Sequence, residues 1–119
     1  MADFNDLYDD QVKIQSRMAD NGMYDGIDRD LVIPQDIPSL ASYHVQQLVS
    51  EIGEVLEADK RWKNFRNDKY DRDAKLDEIA DCFIVLMNIS MFSGFSASEL
   101  FTAIKVKQHI VMKRVTTTS

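Results

Sequence analysis

Residues 75–91 read KLDEIADCFIVLMNISM, and residues 48–63 read LVSEIGEVLEADKRWK. Each stretch sets two carboxylates three residues apart in an apolar helical pattern: Glu78 and Asp81 in the first, Glu51 and Glu54 in the second. Positions i and i+3 share a helix face, so each pair projects its acids in one direction. None has a cation at i+4, where Val55, Ala58, Cys82 and Val85 stand. A single acid pair on a helix is ordinarily a solvated surface feature. Two pairs, one running straight into the most apolar segment of the chain, point to a site. Four carboxylates turned toward a core are costly unless a cation meets them. Mg²⁺ is the natural candidate, a hard ion that takes oxygen ligands and keeps positions for phosphate oxygens and water.

The same stretch decides the fold. After Asp81 the chain reads CFIVLMNISMF, apolar almost all the way round, so this helix has to be buried on most sides. A second copy of the chain is the economical cover for it. Working outward, a helix is expected from about Asp3 to Asn21, with acids at its start and Lys13 and Arg17 later. Asn21-Gly22 reads as its stop. The loop GIDRDLVIPQDIP carries both prolines, and its Leu31, Val32 and Ile33 suggest packing against the body. A second helix starts near Asp36 or Ser39 and runs to about Asn64, followed by a charged loop to Asp73. The third spans about Lys75 to Met91. Gly94 ends it, and Ser96 with Glu99 forms a capping box opening a fourth helix through Arg114. The expectation is an all-α chain of four helices, assembled as a tight homodimer or a dimer of dimers. It forms a single domain over 1–119, with an N-terminal helix and loop at 1–38 and the motif-bearing core at 39–114.

Composition narrows the function. A net charge of −6 and a pI near 4.8 argue against a nucleic-acid-binding face, which is normally basic. No segment approaches the roughly 20 apolar residues that span a bilayer, so no membrane is expected. The acidic start MADFNDLYDD is unlike a signal peptide. The lone cysteine, Cys82, has no internal partner, and a cytoplasmic location is the natural reading.

The two acid motifs, the loop between them, the Trp62-Lys63 pair and the apolar run after Asp81 together resemble the all-α nucleoside triphosphate pyrophosphohydrolases. That superfamily includes MazG-like proteins, dimeric dUTPases and dCTP pyrophosphatases. The resemblance covers about residues 40–114. It implies a Mg²⁺ site (with Mn²⁺ able to substitute) held by Glu51, Glu54, Glu78 and Asp81. It further implies hydrolysis of a nucleoside triphosphate to the monophosphate and pyrophosphate, with Glu51 or Glu54 as the general base. Lys63, Lys107 and Arg114 become candidate phosphate contacts. The family's last helix often carries Lys, Asn and Arg at i, i+4 and i+7; here Val111 stands where the Asn would be. Trp62 either stacks on a base or anchors the end of its helix. Gln15, Gln47 and Asn88 are candidate base or sugar contacts, with Asn5, Tyr8 and Gln11 as further polar groups on the first helix. His44 and His109 lack metal-ligand spacing and read as structural. The base itself (dGTP, dUTP, dCTP or a modified nucleotide) is left open, as is the choice between house-cleaning and pool control.

Rival readings are fewer. A carboxylate-bridged di-iron bundle wants Glu-x-x-His elements, and neither histidine follows a Glu at that spacing. No Gly-rich phosphate loop, CxxC pair or Ser-His-Asp arrangement is present. The non-enzymatic alternative is a helical interaction module that dimerises through CFIVLMNIS and keeps its acids in solvent.

Overall fold

The computed structural model describes residues 3–27, 30–63 and 70–117. Four α-helices carry it: α1 (Phe4–Asp20), α2 (Pro38–Ala58), α3 (Arg72–Met91) and α4 (Ala97–Thr117), with a short 3-10 turn at Lys60–Trp62. The described residues hold no strand, only an isolated bridge between Asp36 and Ser93. None of these helices is long and apolar enough to cross a membrane.

Three of the four helices begin at a side-chain cap, and α2 begins at a proline. The Asp3 carboxylate accepts from the Asp6 amide, and the Asp6 side chain accepts from the Asp3 amide, a reciprocal box at the start of α1. Asp71 accepts from the Ala74 amide, which starts α3 at Arg72, earlier than the expected Lys75. Ser96 and Glu99 exchange the anticipated pair of bonds before α4. Pro38 opens α2, where a missing N–H costs nothing. The end of α2 departs from expectation. The helix stops at Ala58 because Asp59 turns to extended backbone, φ −139° and ψ 97°. Its carboxylate then binds the Arg61 guanidinium through two 2.8 Å bonds and Lys75 at 2.9 Å.

The contacts fix the packing. Asp59 meets Lys75, and His44 stacks on Phe92 with ring centroids 5.2 Å apart. These pairings make α2 and α3 an antiparallel hairpin. Gln11 donates to Asn88 at 2.9 Å, and Tyr8 donates to the Phe95 carbonyl at 2.6 Å, so α1 runs antiparallel to the second half of α3. The 30–37 segment packs down as expected. The Gln35 amide donates to the Met91 carbonyl and the Ile37 amide to that of Phe92. Ile33 is buried, while Val32 faces out at 76% exposure. Gly94 sits at φ +87°, and a Cβ there would lie 3.3 Å from the Asp36 nitrogen, so glycine alone fits the turn.

The core lies at one end of the hairpin: Tyr8, Ile33, Leu40, Met91 and Phe92 are buried, with Phe4, Val12, Tyr24, Ile37 and Leu100 packed around them. The rest of the hairpin projects away from it. In the single chain Phe83, Ile84 and Leu86 of α3 remain exposed, as does every residue of α4 from 101 to 117. The apolar girdle read from the sequence is therefore only half covered by the chain's own helices.

Candidate active site

Of the four motif acids, three converge. Glu51 from α2 and Glu78 and Asp81 from α3 each place a carboxylate oxygen so that the three lie within 4.8 Å of one another. All three are half-buried. The antiparallel hairpin causes this, because it brings the middle of α2 opposite the first half of α3. Glu54 lies one turn further along α2, exposed and outside the set. Its charge still reaches Glu78, whose carboxyl is pushed above its ordinary value by burial first. The charges of Asp81, Glu54, Glu51 and Asp77 add to the shift. No lysine, arginine or histidine among the described residues lies within ion-pair distance of Glu51, Glu78 or Asp81. The cluster's chemistry suits a hard divalent cation: oxygen donors only, negative, and with nothing else to balance them. Cys82, beside the same acids, has its thiol pushed up by burial and by the charges of Glu51, Asp81 and Glu78.

Glu51 and Asp81 line a cavity of about 520 Å³ between α1, α2 and α3. That size is usual for a small-molecule site. Gln15, Gln47 and Asn88, the three polar residues singled out from the sequence, all line it. So do Gln11, Tyr24, Tyr43 and His44. His44, read as structural from the sequence, is buried and also lines this cavity. Helical spacing held the signal: His44, Gln47 and Glu51 follow one face of α2, and Asp81, Val85 and Asn88 one face of α3. A larger concavity runs over the exposed face of α4, lined by residues 103–115 alone. It contains no acid and no second helix, and the cavity between α1, α2 and α3 is the better site on chemical grounds.

The remaining candidates are not brought to the cavity. Trp62 donates its indole N–H to the Leu56 carbonyl at 3.1 Å, which anchors the turn after α2. Its ring is more than half exposed, and Lys63 lies over it at 5.3 Å. Arg61 and Lys75 are committed to Asp59, and Arg61 also stacks on Tyr70 at 3.5 Å. Lys107 and Arg114 sit on exposed α4 and do not line the cavity. His109 lies on α4 as well. Comparison of the chain with family models, with curated proteins and with solved structures returns no match, so the case for a function rests on these residues.

Proposed function

We propose that the protein is a Mg²⁺-dependent nucleoside triphosphate pyrophosphohydrolase that converts a nucleoside triphosphate to the monophosphate and pyrophosphate. The observation that carries this reading is the convergence of Glu51, Glu78 and Asp81 beside a polar cavity that Glu51 and Asp81 line, with no cation among the described residues within ion-pair distance. The resemblance of the two acid motifs to the all-α pyrophosphohydrolases supports it. Glu51, Glu78 and Asp81 would hold the ion, with Glu54 adjacent. Bound there, a divalent cation supplies charge to offset the phosphates and lowers the pKa of a water. Glu51 or Glu54 accepts a proton as water adds to the α-phosphorus, the Pα–O bond to the β-phosphate breaks, and pyrophosphate leaves. Lys63, with Lys107 and Arg114 as the resemblance implies, are the candidate phosphate contacts.

The reading is tested by pyrophosphate release from a panel of ribo- and deoxynucleoside triphosphates with Mg²⁺ or Mn²⁺. Hydrolysis that needs the ion and falls at least about a hundredfold in Glu51→Gln supports it. An active Glu51→Gln variant removes the metal assignment. The alternative, a helical interaction module, is favoured by the exposed Phe83, Ile84 and Leu86. It predicts that no nucleotide is cleaved and that neither ion shifts the melting temperature. Homo-oligomerisation belongs to both readings.

A further inference from the structure

Four side chains in the cavity wall are more than nine-tenths buried: Gln11, Gln15, His44 and Asn88, at 6%, 3%, 2% and 4% exposure. The protein's own hydrogen bonds use only part of what they offer. Gln11 donates through Nε2 to Asn88 Oδ1 at 2.9 Å, which leaves the Asn88 amide N–H groups and the Gln11 carbonyl oxygen. Tyr24 donates its hydroxyl to Gln15 Oε1, which leaves the Gln15 N–H groups. His44 places Nδ1 2.8 Å from the Leu40 carbonyl. A carbonyl only accepts, so Nδ1 carries the hydrogen and Nε2 is left as an acceptor on a neutral ring. Burial lowers the His44 pKa and keeps the ring neutral. Buried polar groups of this kind are satisfied by something, and all four of these residues line the same cavity.

We infer that this cavity holds the base of the nucleotide and selects a 2,4-dioxopyrimidine, uracil or thymine. The inference rests on the reading of the acidic cluster as the phosphate end of the same site. The imide edge of such a ring runs carbonyl, N–H, carbonyl: two acceptors flanking a donor. The leftover groups are its complement, with amide donors from Asn88 on α3 and Gln15 on α1 and the His44 acceptor on α2. Cytosine replaces the ring N–H with a bare nitrogen and one carbonyl with an amine, which sets donor against donor. Guanine shows one acceptor and two donors on that edge, and adenine has no carbonyl. The aromatic rings of Tyr24 and Tyr43 suit a flat ligand, and among the described residues the charged groups lining the cavity are Glu51 and Asp81.

The test is equilibrium binding of deoxynucleoside monophosphates to the full chain in EDTA, by calorimetry, so that neither metal nor turnover is required. Either dUMP or dTMP is expected to bind at least about tenfold more tightly than dCMP, dGMP and dAMP, the effect of one mismatched buried hydrogen bond. Asn88→Asp keeps an acceptor for Gln11 but replaces the free donors with a carboxylate oxygen, and is expected to erase that preference. Should that variant not fold, the wild-type panel decides alone. Equal or tighter binding of dCMP overturns the inference and means that the Gln11–Asn88 bond runs the other way. No binding by any monophosphate, or equal cleavage of all triphosphates with Mg²⁺, overturns it while leaving the proposed hydrolysis intact. Selective dUMP or dTMP binding with no hydrolysis of any triphosphate upholds the base site and removes the enzyme.

Discussion

Burial first, and then the charges of Asp81, Glu54, Glu51 and Asp77, push the Glu78 carboxyl above its ordinary value. Its folded pKa is raised above the unfolded value of 4.5, so the ionised side chain costs the folded chain stability at neutral pH. That cost is relieved as pH falls through the raised folded value toward the unfolded one. Glu78→Gln removes the cost altogether, so the variant should melt above the wild type at pH 7.5 without metal. The difference should close toward pH 4.5. With the proposed metal site, Mg²⁺ should raise the melting temperature of the wild type, and the same substitution should abolish that rise. For the wild type that rise should itself shrink in acid, because protons compete with the ion. Scanning calorimetry over pH, with and without Mg²⁺, checks all of this; a variant less stable than wild type at pH 7.5 contradicts it. The carboxylates were legible in sequence because i, i+3 spacing is a local property. The burial of His44 was not, because its stacking on Phe92 exists only once α2 lies along α3.

Among the elements, the α2–α3 hairpin positions the site, and its far end is fastened by Asp59. Arg61 first and then Lys75 hold that carboxyl well below the usual range. The stabilisation is present above the unfolded value of 3.8 and is lost as pH falls through the folded value. Asp59→Asn should therefore lower the melting temperature at pH 7 and weaken metal binding, since the hairpin sets the distance from Glu51 to Glu78. The two chains should converge in stability in strong acid. An unchanged melting temperature at pH 7 would show that the ion pairs are solvent-screened ornaments. The helix starts at Asp3 and Ser96 were readable because caps are local chemistry. The end of α2 was not. The sequence EADKRWK continues an acceptable helical pattern, and a tertiary ion pair from α3 overrides it. Trp62 went the same way: its indole turned to the Leu56 carbonyl rather than to the cavity.

At the scale of the molecule, the chain exposes more than a compact monomer should. Its accessible surface is 8897 Å², against about 6,600 Å² expected for its mass. Its radius of gyration is 17.6 Å, against about 13.5 Å for a compact chain of this length. Phe83 on α3 and Val111, Met112 and Val115 on α4 account for much of the apolar part. The excess matches what a stable dimer buries. Light scattering at tens of micromolar should give a dimer or tetramer. Phe83→Glu, at a side chain 63% exposed in the single chain, should dissociate it. A wild-type monomer would contradict the proposed assembly. Since Lys107 and Arg114 do not reach the cavity of their own chain, dissociation should also cost activity.

The central claim is attack of water on the α-phosphorus at the Glu51–Glu78–Asp81 site. The most direct measurement is turnover of dUTP and dTTP with Mg²⁺ in ¹⁸O-labelled water, with products resolved by phosphorus NMR and mass spectrometry. The account predicts monophosphate and pyrophosphate in equal amounts, with the label in the monophosphate, and no products from Glu51→Gln. Label in pyrophosphate, release of inorganic phosphate alone, or no hydrolysis of any nucleotide would contradict it.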